Sequence, residues 1–463
     1  MKTLSLALRN LLRNRRRSLT TLLAMIVGAL TILLFGGYSR DIAYGLETGF
    51  VQRSGHLQIQ HKDYFLYGSG NPAAYGIEGY QRVIDVVKHD PVLAPMLNVV
   101  TPTLQLGGIA GNFAAGVSRT VLATGMVVAD QNALRRWNDY GMPFTRGEVA
   151  LTGTGEDAAV IGSGVARVLE LCRALQVSSC PRPAAASGQA AGEALPADIA
   201  ALAAEERPAT PSEAAGRIEL LAANVHGAPN VASLHVVKAE TQGIKEMDDV
   251  YVALHLAQAQ RLIYGAERPQ VTAILLQLHH TSQIPAARAR LEELLASTFK
   301  GQPLELQEFT TLNPFFGQAI RMFDTLFGFI SVLIGTIVLF TVGNTMSTAV
   351  VERTVEIGTL RALGLRRGGI RRLFVCEGLL LGVIGSVAGV MIAWVVALIV
   401  SHAGLHWSPP GWANPVPLTI RLTGEGRMML GTAIGLTAVA ALSAWWPARR
   451  AARLNIVDAL RHV

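Results

Sequence analysis

Four long runs of apolar residues are separated by polar stretches of very unequal length. Each run has about the 20 residues that an α-helix needs to cross a bilayer. The runs are residues 18–37, 327–350, 373–400 and 428–446. This pattern predicts an α-helical membrane protein with four transmembrane helices and a large polar region, residues 38–322, inserted between helices 1 and 2.

Basic residues beside these runs predict the orientation of the four spans. Residues 1–17 contain six basic side chains and no acidic one, and residues 447–463 contain four arginines and one aspartate. By the positive-inside rule both termini are cytoplasmic, which places residues 38–322 and the loop 401–427 on the outer side of the membrane. The net charge of +7 follows from this bias, so we expect lipid rather than nucleic acid as a partner.

The segment before the first run has the pattern of an amphipathic helix. Leucines at positions 4, 6, 8, 11 and 12 alternate with basic residues, as in helices that lie on a membrane surface. A cluster of charges that only sets the topology is the alternative. The pattern leaves both interpretations open.

The polar region between the first two spans has the pattern of a mixed α/β domain. The clearest unit is a β-α-β sequence, with strands at 270–278 and 304–309 around a helix at 284–299. Strands are also predicted at 55–60, 120–127, 148–152 and 233–238, and helices at 80–89 and 158–171. Helical patterns at 39–50 and 313–321 continue the first two spans outward and predict a stalk.

Residues 181–212 interrupt this domain with a composition of Ala, Pro, Gly, Ser and Glu. Such a stretch buries little apolar area, so we predict a mobile insertion. Cys172 and Cys180 precede it, and in an oxidising compartment they predict a disulfide at its base. Two free thiols are the alternative.

The short link at 351–372, between the second and third spans, carries six arginines and two glutamates. Val355, Ile357 and Leu360 have helical spacing, and Arg353 and Glu356 are three residues apart, close enough to pair. Gly364 and the pair at 368–369 predict the end of the helix and a turn. The pattern indicates a short charged helix at the cytoplasmic face, held at both ends by membrane helices.

At this link the chain resembles a known family. The motif E-R-x-x-E-I-G-x-L-R-A-x-G begins at Glu352, and E-G-L-L-L-G begins at Glu377. Both are similar to the coupling segment of FtsX-like permeases, the MacB/FtsX/Lol group of ABC transporters, and the chain looks most like the lipoprotein-releasing Lol permeases. The resemblance implies that the residues contacting an ATPase are Glu352, Arg353, Glu356, Gly358, Arg361 and Gly364.

The resemblance also implies a bacterial inner membrane, with residues 38–322 and the loop 401–427 in the periplasm, and it implies the assembly and its work. We expect two copies of an ABC ATPase, a second permease in a homo- or heterodimer, and a MacB-like periplasmic core domain. ATP and Mg²⁺ would bind the ATPase, because this chain has no G-x-x-x-x-G-K-[ST] motif and no catalytic constellation. Its histidines lack the spacing of a zinc site, so we expect neither a metal nor enzyme activity here.

The function implied is mechanotransmission. Nucleotide hydrolysis in the partner would tilt the short helix and move the periplasmic domain through the stalk, for the extraction or transport of a lipoprotein or another amphiphile. An FtsX-like regulator of a periplasmic cell-wall hydrolase and a MacB-like exporter with a periplasmic adaptor remain alternatives.

Glycines and one acid within the spans predict how the helices pack. Small residues on one helix face let membrane helices approach closely. The glycines in such register are Gly378, Gly382, Gly385, Gly389, Gly431 and Gly435. Glu377 lies four residues into the third span, where an acid needs a partner. It pairs with Arg371 or Arg372 at the interface, or it points inward and links this span to the short helix.

Overall fold

The computed structural model describes residues 2–68, 70–143, 146–177, 216–243, 245–407 and 415–454. Contacts divide the chain into two compact units. The helical unit comprises Met1–Gly45, Phe315–Trp407 and Val416–Val463, and the mixed unit comprises Leu46–Pro314 and Ser408–Pro415. The predicted insertion at 181–212 and Cys180 lie outside the described residues.

The helices are numbered in chain order. They are α1 (Lys2–Arg13), α2 (Arg15–Ser54), α3 (Tyr64–Tyr67), α4 (Tyr80–His89), α5 (Val128–Arg135), α6 (Ser163–Val168), α7 (Lys245–Asp248), α8 (Leu256–Tyr264), α9 (Ile284–Ser297), α10 (Phe309–Leu312), α11 (Pro314–Glu352), α12 (Thr354–Ala362), α13 (Arg367–His402) and α14 (Gly426–Ala452).

The strands are numbered in the same way. They are β1 (Leu57–His61), β2 (Leu97–Asn112), β3 (Val117–Met126), β4 (Ala158–Gly162), β5 (Arg217–Ala223), β6 (Pro229–Glu240), β7 (Tyr251–His255), β8 (Ala273–Leu278), β9 (Leu304–Glu308), β10 (His406–Trp407) and β11 (Val416–Pro417).

Four of these helices, α2, α11, α13 and α14, are long and apolar enough to cross a membrane by length and composition. Each contains one of the four predicted apolar runs and continues beyond it. The pair Gly368 and Gly369 lies inside the first turn of α13, so the turn before this helix is shorter than predicted. The last helix, α14, continues beyond the predicted run 428–446 and through Pro447 to Ala452.

Close packing in the helical unit depends on glycines of α13. A Cβ atom added to Gly378 would lie 2.5 Å from the Cβ of Ala444 in α14, and one on Gly389 would lie 2.6 Å from the Cβ of Ala29 in α2. Gly382 faces α14 and Gly385 faces α2 in the same way. By contrast, Gly431 and Gly435 have open space where a side chain would be, so they do not pack against another described helix of this chain as predicted.

The mixed unit is built on a nine-stranded sheet with the order β3-β7-β4-β6-β5-β2-β8-β1-β9. An additional pairing of β3 with β2 closes six of these strands into a ring. The remaining strands continue from β2, and β1 lies between β8 and β9 and is antiparallel to both. The predicted β-α-β sequence is therefore present as β8, α9 and β9, with β1 inserted between its two strands.

Several local predictions in this unit are wrong. Residues 148–152 form no strand, and the helix expected over 158–171 is the buried strand β4 followed by the short α6. The strand predicted at 55–60 is present as β1, and its first four residues are all buried. The long β2 and the strand β5 were not predicted.

Candidate functional site

A buried charged cluster lies where α1, α12 and the start of α13 meet. The Glu377 side chain is 2% exposed, and its Oε1 accepts a hydrogen bond from Nδ2 of Asn10 at 2.6 Å. A guanidinium nitrogen of Arg353 lies 3.0 Å from Oε1 and 3.4 Å from Oε2 of the same carboxylate. A second guanidinium nitrogen of Arg353 donates to the backbone oxygen of Asn10 at 3.3 Å. We call these three residues the buried clamp.

Arg353 takes part in the clamp because the helix breaks there. It lies between α11, which ends at Glu352, and α12, which begins at Thr354, and its φ of −103° and ψ of 18° are not helical. The break points its side chain inward, where it is 9% exposed. Burying two charges costs free energy that only good geometry and further hydrogen bonds offset. Here Asn10 supplies those bonds, so one polar residue of α1 completes an ion pair between α13 and the α11–α12 junction.

Surface contacts tie the same elements together. Arg13 at the end of α1 lies 2.6 Å from Glu356 of α12, and Arg17 in the first turn of α2 pairs with Glu352. Exposed pairs of this kind contribute less than about 1 kcal/mol each. They orient α12 more than they stabilise it. At the other end of α12, Arg361 donates to the backbone oxygen of Leu454 just after α14.

Two pairings predicted from sequence spacing are wrong. Arg353 does not pair with Glu356 three residues on, because its side chain points into the clamp. Glu377 does not pair with Arg371 or Arg372, which are both exposed. The inward alternative agrees with the structure, since Glu377 links α13 to the start of α12. Asn10 was not predicted, because 367 residues separate it from Glu377 and no local pattern records such a contact.

The two faces of α12 differ sharply. Ile357 and Gly358 are buried against the helical unit. Nearby apolar side chains are exposed: Val351 is 72% exposed, Val355 43% and Leu363 80%. Gly364 follows with a φ of +93°, a conformation that glycine adopts without strain, and this ends the helix after Ala362. We call the exposed side chains Val351, Val355 and Leu363 the apolar ridge.

A cleft of about 860 Å³ opens between α2, α11 and α14 in the helical unit. Its walls are mostly apolar and include Phe327 and Met428, and Gly431 and Gly435 also line it. The hydroxyls of Ser39 and Ser331 are buried there and find no hydrogen-bond partner among the described residues. Charged side chains line the part nearest the connecting loops, namely Arg40, Asp324, Glu425 and Arg427. The cleft thus combines an apolar wall with charged groups at one end.

A metal site and the cysteines were the other candidates for chemistry. No group of three metal-binding side chains occurs within the described ranges of the chain. Cys172 is disulfide-bonded and Cys376 is free. The bond of Cys172 to Cys180 stays a prediction, because Cys180 lies outside the described residues.

Comparison with known proteins identifies the helical part. Residues 328–456 match the family model described as FtsX-like permease C-terminal. The chain contains an FtsX-like permease domain. This match and the curated relatives confirm the predicted resemblance to the FtsX, MacB and Lol group of ABC permeases. The matched segment includes the α11–α12 junction, the apolar ridge and Glu377 of the clamp.

Three relatives and one solved structure are similar to this permease. The lipoprotein-releasing system transmembrane protein LolC of Neisseria meningitidis serogroup B is 25% identical over 244 residues, 50% of this chain and 56% of that protein. The ABC transporter permease YtrF of Bacillus subtilis is 35% identical over 137 residues, 29% of this chain and 30% of YtrF. The macrolide export ATP-binding/permease protein MacB of Hyphomonas neptunium is 28% identical over 238 residues, 50% of this chain and 34% of MacB.

The solved periplasmic region of MacB from Actinobacillus actinomycetemcomitans aligns at 12% identity with a TM-score of 0.30, over 57% of this chain and 94% of that one. The permease spans about half or less of the length of the curated relatives above.

Proposed function

We propose that this permease is the membrane subunit of an ABC transporter and converts ATP hydrolysis in a separate chain into movement of its mixed unit. The buried clamp is the observation that carries the proposal. It ties α12 to α1 and α13, so a push on α12 is passed to the helices instead of bending a loose loop. The relatives agree with this role, since MacB is named as an ATP-binding/permease protein and YtrF as an ABC transporter permease.

The apolar ridge is the proposed docking surface for the ATPase. A soluble partner would bury Val351, Val355 and Leu363, which water otherwise covers at a free-energy cost of roughly 25 cal/mol per Å². The exposed Glu352 beside the ridge adds a charge that can pair with the partner. Gly358, predicted as a contact, supports the surface from below, since it is buried. Two ATPases on two permeases, as a homo- or heterodimer, would complete the assembly, with ATP and Mg²⁺ bound outside this chain.

The direction of the movement follows from the proposed topology. With both termini and α12 on the cytoplasmic side, α2 and α11 cross the membrane and lead to a periplasmic mixed unit. Both helices are long, with 40 and 39 residues against the ~20 needed to span the hydrocarbon core. The surplus turns favour the predicted stalk.

An amphiphile such as a lipoprotein is the cargo that we propose. The cleft between α2, α11 and α14 offers an apolar wall for acyl chains and charged side chains for a polar head. LolC, a lipoprotein-releasing protein by name, favours the same class. The MacB relatives favour export of a smaller amphiphile as the second candidate, and regulation of a cell-wall hydrolase is the third.

The ridge can be tested by substitution. We expect Leu363→Asp to reduce co-purification of the ATPase at least tenfold, because a carboxylate would have to be buried in the contact. The control is Leu405→Asp, which changes a leucine that is 50% exposed and lies outside the ridge, and it should leave association unchanged. The readouts are the mass ratio of ATPase to permease and the ATPase rate with and without lipoprotein. Equal association of Leu363→Asp and the wild type would refute docking at the ridge.

A further inference from the structure

Three arginine side chains come together in the mixed unit. They are Arg53 at the end of α2, Arg135 at the end of α5 and Arg146 in the loop that follows. Arg53 donates to the backbone oxygen of Gln242 at 3.1 Å, and Arg135 donates to that of Gly147 at 3.0 Å. A guanidinium nitrogen of Arg146 lies 4.0 Å from the Cβ position of Gly49, one turn before Arg53 on α2. We call these three residues the arginine cluster.

Nearby acids do not balance this positive charge. Glu240 is shared between Arg135, at 3.5 Å, and Lys238, at 3.8 Å. The Asp248 carboxylate also attracts Arg53 electrostatically, but its Oδ1 accepts a hydrogen bond from the backbone N–H of Gln242. Four cations therefore meet two carboxylates, which leaves an excess of two positive charges. Burial and the two neighbouring guanidiniums lower the pKa of Arg146 to about 10, in agreement with this imbalance.

The cluster also has hydrogen-bond donors without acceptors. The Nε of Arg53 is buried and has no partner among the described residues. Buried donors are almost always paired in folded proteins, and an unpaired one costs about 1–3 kcal/mol. The Arg146 guanidinium is half-buried, and no described side chain or backbone group accepts a hydrogen bond from it. Arg53 therefore needs an oxygen atom that the described parts of the protein do not supply, and Arg146 can bind one from solvent.

The guanidinium donors of the arginine cluster indicate which class of ligand it can bind. Guanidinium forks bind oxyanions through two parallel hydrogen bonds, and phosphate offers enough oxygens for several forks at once. Arg135 is 13% exposed, so the cluster is shielded but reachable from solvent. An excess of two positive charges matches the charge of a phosphate monoester at neutral pH.

We propose that the arginine cluster binds a phosphate group, carried by the head of an anionic lipid or by a free phosphate compound. Arg53 and Arg146 hold its oxygens, and Arg135 stays paired with Glu240 and orients the loop through Gly147. This site does not depend on the proposed ATPase, and it would exist in a permease that works by any of the three mechanisms above.

The test measures thermal unfolding of the full chain in a non-ionic detergent. Inorganic phosphate and short-chain phosphatidylglycerol are added in separate arms, with short-chain phosphatidylcholine as the lipid control. We expect the midpoint to rise by about 3 °C in at least one of the first two arms, since a ligand that binds the native state stabilises it. A rise with phosphatidylglycerol alone identifies the lipid head as the source, and a rise with inorganic phosphate identifies a free phosphate.

Substitutions decide whether the rise comes from the cluster. Arg146→Gln should abolish it, while the exposed Arg268→Gln in the same unit should keep it. Without ligand, Arg146→Gln should raise the midpoint, because it removes one of the mutually repelling charges. The proposal is overturned if neither ligand raises the midpoint, if Arg146→Gln keeps the rise, if Arg268→Gln loses it equally, or if Arg146→Gln lowers the midpoint without ligand.

Discussion

Within the described residues, arginines are shielded from solvent in the buried clamp and in the arginine cluster, and only the clamp is balanced in charge. In the buried clamp, the Arg353 guanidinium meets one carboxylate and donates to the backbone oxygen of Asn10, and only its Nε has no acceptor among the described residues. In the arginine cluster, Glu240 is shared between Arg135 and a lysine, Asp248 is the second nearby acid, and Arg146 has no partner within the described residues. A balanced buried charge holds elements of the same chain together. An unbalanced one points to a charge that comes from another molecule.

Breaking the buried ion pair between Arg353 and Glu377 has the largest expected effect on stability. Glu377→Ala should lower the free energy of unfolding by about 3–5 kcal/mol, because it leaves the Arg353 charge buried without a counter-charge. Thermal unfolding in detergent measures the loss, and co-purification with the ATPase should fall with it.

A double variant in the buried clamp distinguishes the effect of an unpaired charge from the effect of lost packing. Glu377→Ala combined with Arg353→Met removes both charges and should recover much of the stability while coupling stays impaired. If Glu377→Ala alone unfolded like the wild type, the clamp would not hold α12 in place.

The buried imidazole of His56 adds a third case to this comparison, because it stays neutral in the native state. His56 is fully buried in the mixed unit, and the backbone N–H of Leu278 donates to its Nδ1 at 3.0 Å, so this nitrogen carries no proton. Burial lowers the pKa of His56 to about 4. Since the unfolded chain takes up a proton near pH 6.5, native stability should decrease as the pH falls from 6.5 toward 4, by about 3 kcal/mol in total.

Unfolding midpoints measured between pH 7 and pH 4 check this dependence. His56→Gln should be less stable than the wild type at pH 7 and should lose less stability on acidification, because it has no imidazole to protonate. Parallel pH profiles for the two proteins would contradict the prediction.

The smallest expected effect on stability is that of the exposed ion pair between Arg13 and Glu356, close to the buried clamp. Arg13→Ala removes the pair with Glu356, whose side chains are 57% and 38% exposed, and should cost no more than about 0.5 kcal/mol. Added salt should reduce the difference between variant and wild type, since exposed ion pairs are screened. A loss comparable to that of Glu377→Ala would show that the surface pairs, and not the clamp, hold α12.

Local patterns predicted well whatever depends on neighbours in sequence. The four apolar helices, the short helix at Thr354–Ala362, its end at Gly364 and the β8–α9–β9 unit could all be predicted, because they follow from apolar periodicity and glycine. Pattern failed at β4, because a strand that is covered on both faces has a continuous buried run and loses the alternation on which the prediction relies.

The sequence by itself determined the apolar helices, the positive bias of their ends and the family motif from Glu352 to Gly364, because each is a property of consecutive residues. Only the tertiary structure decided that Arg353 pairs with Glu377 rather than Glu356, and that Asn10 completes the pair. The same holds for the approach of Arg53 to Arg135 and Arg146, from which it is more than 80 residues away along the chain. Charges pair according to distance in space and burial, and spacing along a chain predicts neither once the helices and strands have packed.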